Sequence, residues 1–433
     1  MRLRSPYDRE IFRLAVPALG ALAAEPLYVL VDTAIVGHLG RSQLAALGIA
    51  ATVLSVLVMF NFLQYGTTAQ VSRAIGAGED LTAARLGAQA LWLSLAVGIC
   101  VAALIAALAG PVVELVGGDG KTAEYAVLYL RIAALGVPSA FLAIGGQGFL
   151  RGVSDLRTPL LIVIGGNIVN AILEVLFVYG FDWGIAGSAW GTVIAQTAMG
   201  IGIVVVILRR VGHGNTAFRP ALARRLLALG KFIFLRTIAL MSSFVLAGAV
   251  VARIGDAQLA AYQIAFQLWL FLALVLDSIA IAGQIIVGRE LGAGHPREAF
   301  DASVRMIWLA ATTGGMFAVM LLALTHVIPR AFTSDTDVLE QAALLWPIFA
   351  LMQPLNGAVF ALDGILIGAS DGPFLAYSMA GAFVVCGAVL ILVHVQGWGL
   401  RGVWAALLVL IVVRLVLMSA RFLRRRWLVT GFA

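Results

Sequence analysis

The chain has 433 residues, of which 62% are apolar and only 12% charged, where a water-soluble domain carries about 45–50% and about 25%. So few charges cannot cover a core of that size in water, which excludes a soluble globular protein. The net charge of +7 does not point to nucleic acid, because the basic residues fall in short segments between apolar runs.

Those runs reach the length of about twenty residues that crosses ~30 Å of hydrocarbon. In chain order they predict transmembrane helices at roughly 10–36, 44–69, 86–109, 123–146, 158–180, 185–208, 226–251, 258–285, 303–328, 340–366, 374–395 and 400–423. The first follows Met1-Arg-Leu-Arg4, which resembles the start of a signal peptide. It is too long for a signal core, holds Glu25 and Asp32, and lacks a small-residue cleavage site. It is expected to stay as a helix. Pro17 and Pro26 remove backbone hydrogen bonds within it and predict a kink, with a hinge as the functional reading.

The connections are short and rich in turn residues, as in Gly117-Gly118-Asp119-Gly120 and Asp371-Gly372-Pro373. The longest, 209–225, carries Arg209, Arg210, Arg219, Arg224 and Arg225. It divides the chain into expected domains 1–212 and 213–433, with 209–225 as a cytoplasmic linker. Placing the N-terminus in the cytoplasm puts Arg2, Arg4, Arg9, Arg73, Arg85, Arg151, Arg157, the linker, Arg289, Arg297, Arg421 and Arg424–Arg426 inside. Only Arg41, Lys121, Arg253, Arg330 and Arg401 remain outside, the bias that sets orientation in short loops. Both termini are therefore expected in the cytoplasm. Cys100 and Cys386 lie inside spans and form no readable disulfide framework or metal cluster.

The two halves repeat. Gly37-His-Leu-Gly-Arg-Ser-Gln-Leu-Ala-Ala-Leu-Gly-Ile-Ala50 matches Ala252-Arg-Ile-Gly-Asp-Ala-Gln-Leu-Ala-Ala-Tyr-Gln-Ile-Ala265 at half of its positions. The same offset of about 215 residues pairs Gly76-Ala-Gly78 with Gly292-Ala-Gly294 and Gly152-Val-Ser-Asp155 with Gly368-Ala-Ser-Asp371. It also pairs Trp183-Gly-Ile-Ala-Gly187 with Trp398-Gly-Leu-Arg-Gly402. Six spans per half give both halves one orientation. The expected fold is an all-α integral membrane protein, with twelve transmembrane helices in two six-helix lobes related by a pseudo-two-fold axis along the membrane normal.

Acids inside a bilayer cost about 2.5–3.5 kcal/mol on insertion scales and usually face a cavity, a partner or an ion path. Five fall within spans: Glu25, Asp32, Glu174, Asp277 and Asp363. Glu25, Tyr28 and Asp32 form one stripe of the first helix, and Asn167, Asn170 and Glu174 the same stripe on the fifth. Gln353, Asn356 and Asp363 form a similar one on the tenth. Gln263, Gln267, Asp277 and Gln284 share a face of the eighth. Asp32, Tyr129, Glu174 and Thr192 sit at one level, about 8–10 Å below the outer surface at ~1.5 Å per residue. Two carboxylates at one level can share or exchange a proton. With Asn170 and Thr192 they alternatively offer hard oxygen ligands to a small cation. Intramembrane Asn, Gln and Thr also serve simply as interhelical partners, and Arg236 and Arg414 are available as structural partners for Asp277 or Asp363. The five histidines are scattered, and no nucleophile constellation suggests an enzyme.

Pro26-Leu-Tyr-Val-Leu-Val-Asp-Thr-Ala-Ile-Val-Gly-His-Leu-Gly40 resembles the first-helix signature of the multidrug and toxic compound extrusion (MATE) family, in its DinF-like branch. Gln70-Val-Ser-Arg-Ala-Ile-Gly-Ala-Gly78, Arg151-Gly-Val-Ser-Asp155, Leu276-Asp-Ser278 and Asp363-Gly-Ile-Leu-Ile-Gly-Ala369 also resemble family blocks. The resemblance implies a secondary exporter of amphipathic, mostly cationic drugs or toxic metabolites, with a cavity between the lobes and a proton or sodium ion as the coupling ion. It implies no other cofactor, a monomer, and the bacterial inner membrane. Asp32 matches the family's coupling acid, Asn170 its fifth-helix asparagine and Thr192 its sixth-helix hydroxyl. Glu174 stands where the branch more often has aspartate. Tyr28, Tyr129 and Pro17 match equivalent positions. The coupling set is thus Asp32, Asn170, Glu174 and Thr192, which is also the alternative sodium site. The cavity set is Glu25, Tyr28, Tyr129, Gln147, Asn167, Asp277, Gln353, Asn356 and Asp363, with Pro17 and Pro26 as hinge. The seventh span lacks the acid of the sodium-coupled NorM-like branch, which weakens a sodium site in the second lobe. A lipid-linked sugar flippase of the same superfamily is the competing function. It would usually have about fourteen spans and a basic cavity, whereas the charges placed here are mostly acidic. A major-facilitator transporter would carry a basic-acidic motif where Gly76-Ala-Gly-Glu-Asp80 stands.

Overall fold

The computed structural model describes residues 5–212 and 216–432. Arg2 and Arg4, used above for orientation, and His213 lie outside them. Among the described residues every regular element is helical. Ten helices are long and apolar enough to cross a membrane: Asp8–Gly37, Arg41–Gly76, Asp80–Leu115, Arg157–Gly180, Gly184–Val211, Pro220–Ala252, Asp256–Gly292, Pro296–Ala323, Gly372–Gln396 and Gly399–Leu423. Two bent pairs complete the twelve spans: Gly120–Ala134 with Val137–Gly152, and Thr336–Leu351 with Gln353–Gly368.

The bends, of 51° and 48°, correct the expectation of unbroken helices at 123–146 and 340–366. Each second segment carries proline at its start, Pro138 and Pro354. Proline has no N–H to continue the ladder and its ring crowds the preceding turn. The two breaks sit one repeat apart, in the fourth and tenth spans. The first span behaves differently and stays helical from Asp8 to Gly37 through Pro17 and Pro26.

The repeat is visible in backbone detail. Gly78 and Gly294 have φ of 73° and 78°, and Gly184 and Gly399 have 55° and 61°. Ser154 and Ser370, neither a glycine, share the left-handed region at 63° and 60°. In both halves the aspartate after that serine ties the loop to an arginine near the end of the sixth span of its half. Asp155 pairs with Arg210, and Arg421 Nε donates to Asp371 Oδ2 at 2.7 Å.

Small residues let helices approach closely, as membrane interfaces favour. A Cβ on Gly364 would lie 2.2 Å from the Ala280 carbonyl oxygen, and one on Gly357 2.1 Å from that of Ala310. Large apolar side chains such as Leu161, Val245, Met316 and Val395 are left exposed, which suits hydrocarbon and not water.

The chain forms two compact units, Gly20–Gly230 and Met1–Leu19 together with Lys231–Ala433. These differ from the expected halves 1–212 and 213–433 at both boundaries. The start of the first span groups with the C-terminal half, and the start of the seventh with the N-terminal half.

Candidate functional site

The site lies within the unit Gly20–Gly230, where the first, fifth and sixth spans meet. Two glycines set the approach of the sixth span to the fifth. A Cβ on Gly187 would stand 2.8 Å from the backbone carbon of Phe177, and one on Gly191 3.0 Å from Glu174 Cγ. The residues that follow them, Ser188 and Thr192, are thereby pressed against the fifth span. The fifth span leaves α-geometry immediately beyond Glu174, with a π-helical turn at Leu176–Gly180. Such turns often mark functional positions.

The Ser188 hydroxyl lies 2.7 Å from Asp32 Oδ1 and 2.7 Å from Glu174 Oε1. Asp32 is 5% exposed, and Glu174 and Ser188 are fully enclosed. One turn further along the sixth span, Thr192 Oγ1 is 2.8 Å from the Tyr28 hydroxyl. Tyr129, also buried, stands beside Asp32, Thr192 and Ser188. Two more bonds fix the first span: Asn167 Nδ2 donates to the Ala24 carbonyl at 3.0 Å, and the Tyr179 hydroxyl to the Ile35 carbonyl at 2.6 Å.

These distances limit how the hydroxyl can bond. A serine hydroxyl carries one hydrogen and can donate one hydrogen bond, yet both O···O separations are at the normal bonded value. Ser188 can therefore donate to one carboxylate at a time, and it can accept from the other when that one is protonated. Beside it, Glu174 Oε2 and both polar atoms of Asn170 are buried without a hydrogen-bond partner among the described residues. That pocket of polar atoms has the donor set for a water or a small cation.

The structure thus brings together Asp32, Glu174, Thr192, Tyr28 and Tyr129, with Asn170 alongside. Sequence reasoning missed Ser188. Its signal was present, since Ser188 and Thr192 are spaced i, i+4 beside Gly187 and Gly191.

The expected cavity residues divide. Glu25 and Pro26 are exposed, while Tyr28, Gln147, Asn167 and Asp277 are half-buried. Gln147 accepts from Gln64 Nε2 at 3.2 Å. The tenth-span residues are enclosed. Gln353 and Asn356 are fully buried. Gln353 Nε2 donates to the Phe349 carbonyl at 2.9 Å and its Oε1 accepts from Asn356 Nδ2 at 3.3 Å. Asp363, also buried, is gripped by Arg236 and Arg414. All three are enclosed; Asn356 Oδ1 has no hydrogen-bond partner among the described residues, while Asp363 is used by two arginines. Tyr129, too, belongs to the buried carboxyl network. Among the described residues no group of His, Cys, Asp and Glu forms a metal cluster.

The site has no counterpart in the second half, although the chain is duplicated. At the repeat offset Asp32 corresponds to Ala247, Ser188 to Val403 and Thr192 to Leu407, and Glu174 falls at Val389 or Leu390.

The MatE family model matches the chain twice, at residues 17–176 and 233–393. The DNA damage-inducible protein F of Escherichia coli K12 is 33% identical, over 99% of this chain and 94% of that protein. Protein DETOXIFICATION 44, chloroplastic, of Arabidopsis thaliana is also 33% identical, over 94% of this chain and 80% of that protein. A solved structure described as MATE in the bent conformation superposes with a TM-score of 0.89 at 20% identity, covering 98% of this chain and 96% of that one. A duplicated family match, twelve spans and this pair of relatives make the chain a member of the multidrug and toxic compound extrusion family of membrane transporters.

Proposed function

We propose that this transporter exports amphipathic, mostly cationic small molecules by exchange against protons, and that Asp32 with Glu174 binds the driving proton. The observation that supports this reading is the Ser188 bridge, whose hydroxyl lies 2.7 Å from both enclosed acids. A closed pair that shares one proton carries one negative charge, which is easier to hold in a dry helical unit than two. An open, ionised pair offers counter-charge to a cation. Sodium at the same oxygens is the second reading, favoured by the unpaired atoms of Asn170 and Glu174.

Dye efflux from proteoliposomes with the two gradients imposed separately decides between them. A pH gradient alone is expected to drive export of cationic dyes and to leave anionic ones behind. Export driven by a sodium gradient at uniform pH, and not by protons, would reject proton coupling. Export of anionic dyes alone would reject the charge argument.

The first span is the element that can carry the event out of the site. Its start is held by Arg305, whose Nε and Nη2 donate to Asp8 at 2.6 and 2.8 Å, and by Arg289, which donates to Glu10 at 2.6 Å. Its later part is held by the Asp32 network. It passes from one unit to the other between Leu19 and Gly20, two residues after Pro17. Pro17 leaves the Arg13 carbonyl without its helical donor, which makes this the softest turn between the two anchorages. Pro17→Ala restores the N–H and removes a residue that costs a helix interior about 3 kcal/mol relative to alanine. The variant is expected to fold with equal or higher thermal stability and to export several-fold more slowly. Wild-type transport rates in the folded variant would leave Pro17 with a static role only.

A further inference from the structure

We propose that Ser188 is a positioning residue that relays the proton between Asp32 and Glu174 and thereby makes the site selective for a proton over sodium. The inference rests on the proton-coupled reading and adds a residue and a selectivity mechanism to it.

The relay follows from the geometry. With Asp32 protonated, its carboxyl donates to Ser188 Oγ, and the Ser188 hydroxyl donates to Glu174. Transfer breaks the Asp32 O–H bond and forms a new one on Ser188, while the original Ser188 O–H breaks and its proton bonds to Glu174. Charge and atoms balance, with one proton moved from one acid to the other. No heavy atom has to leave a position 2.7 Å from both carboxyls. Hydroxyls suit this role because they accept and donate at once. The groups facing the bridge are Tyr129 and, through Thr192, Tyr28. Neither brings a charge that would compete for the proton.

The selectivity follows from what occupies the midpoint. A hard cation shared by two carboxylates needs its oxygen ligands to converge on one empty point. Here the Ser188 hydroxyl oxygen lies 2.7 Å from both carboxyls and takes the position where such a ligand shell would converge. Gly187 and Gly191 bring the sixth span close against Phe177 and Glu174, and Ser188 is fully enclosed there. A proton fits this arrangement and a sodium ion does not. Removing the hydroxyl opens a gap of one oxygen between the two acids, which a water or sodium can fill.

The test compares wild type, Ser188→Ala and Ser188→Thr in proteoliposomes, under a pH gradient, a sodium gradient and both. Elution profile and melting temperature establish that each is folded. Ser188→Ala is expected to lose about tenfold or more of proton-driven efflux, in line with removal of a proton-transfer group. It should shift the pH profile and gain a response to the sodium gradient. Ser188→Thr keeps the hydroxyl and should keep proton-driven efflux without a sodium response. Should Ser188→Ala fail to fold, Ser188→Cys, close in volume and a weak donor, is read by the same criteria. If wild type runs on protons while the hydroxyl-deficient variant matches it in rate, pH profile and indifference to sodium, the Ser188 relay is wrong and proton coupling stands. If wild type itself runs on sodium alone, the proton-coupled reading falls and the relay with it.

Discussion

Asp32→Asn is expected to abolish gradient-driven efflux while leaving the protein folded. The asparagine side chain has nearly the same shape, and its carbonyl oxygen can still accept the hydrogen bond from Ser188, 2.7 Å away in the native site. The packing that holds the first span, including the Tyr28–Thr192 and Asn167–Ala24 bonds, is untouched. What is lost is the ability to release and rebind a proton. Conformational couplings are worth about 1–3 kcal/mol, or 5–150-fold in an equilibrium. Removing the coupling acid should therefore reduce accumulation against a gradient by about that factor, down to the passive level. Asp277→Asn, half-buried in the other unit, should be milder. If Asp32→Asn pumps normally under an imposed pH gradient, the site described here does not drive transport. Asp277 would then be the acid to pursue, because Asp363 already carries two arginines.

That the sequence could locate Asp32, Glu174 and Thr192 at one level, and not Ser188, has a physical reason. Depth along a membrane helix is a linear quantity, fixed by a rise of ~1.5 Å per residue from a hydropathy boundary. Acids in hydrocarbon are costly enough to stand out. A serine is not costly, since it can bond within its own helix, as Ser243 does to the Ala239 carbonyl at 2.9 Å. Whether it does so or bridges two neighbours is decided by how closely the helices approach, and here Gly187 and Gly191 decide it.

The same distinction runs through the fold. Span number and the repeat were legible because both are periodic along the chain. The bends in the fourth and tenth spans were not, since apolar residues continue across Pro138 and Pro354 and hydropathy averages over the break. Packing fixes them. A Cβ on Gly314 would stand 2.2 Å from the Gln353 carbonyl oxygen, so a neighbouring span already occupies the space where the tenth span turns. The compact units were also hidden. A repeat tells which segments are equivalent, and not that the Asp8 end of the first span is tied to Arg305 of the ninth. The asymmetry of the site between the halves is a matter of side chains and not of the repeat: Ala247, Val403 and Leu407 are core residues where the first half has Asp32, Ser188 and Thr192.

Asp363→Ala is expected to destabilise the protein before it affects coupling, the opposite signature to Asp32→Asn. Asp363 on the tenth span accepts from Arg236 Nε at 3.2 Å and is bound again by the terminal nitrogens of Arg236 and Arg414. It thereby links the tenth span to the seventh and the twelfth. The Arg414 side chain is only 3% exposed, so without the carboxylate it is a charge left in a low-dielectric interior. Breaking a buried ion pair from one side costs about 3–5 kcal/mol, whereas replacing the whole cluster by apolar side chains of similar volume is often neutral or stabilising. A lowered melting temperature in detergent is therefore expected for Asp363→Ala. The triple variant Asp363→Leu, Arg236→Met, Arg414→Met should recover much of it. Asp363→Asn, which keeps one accepting oxygen, turns an NH2 toward the arginines and loses the charge, should fall between. Should Asp363→Asn keep wild-type stability and lose pH-driven efflux, the cluster is part of the transport pathway, and the second unit carries a coupling acid after all.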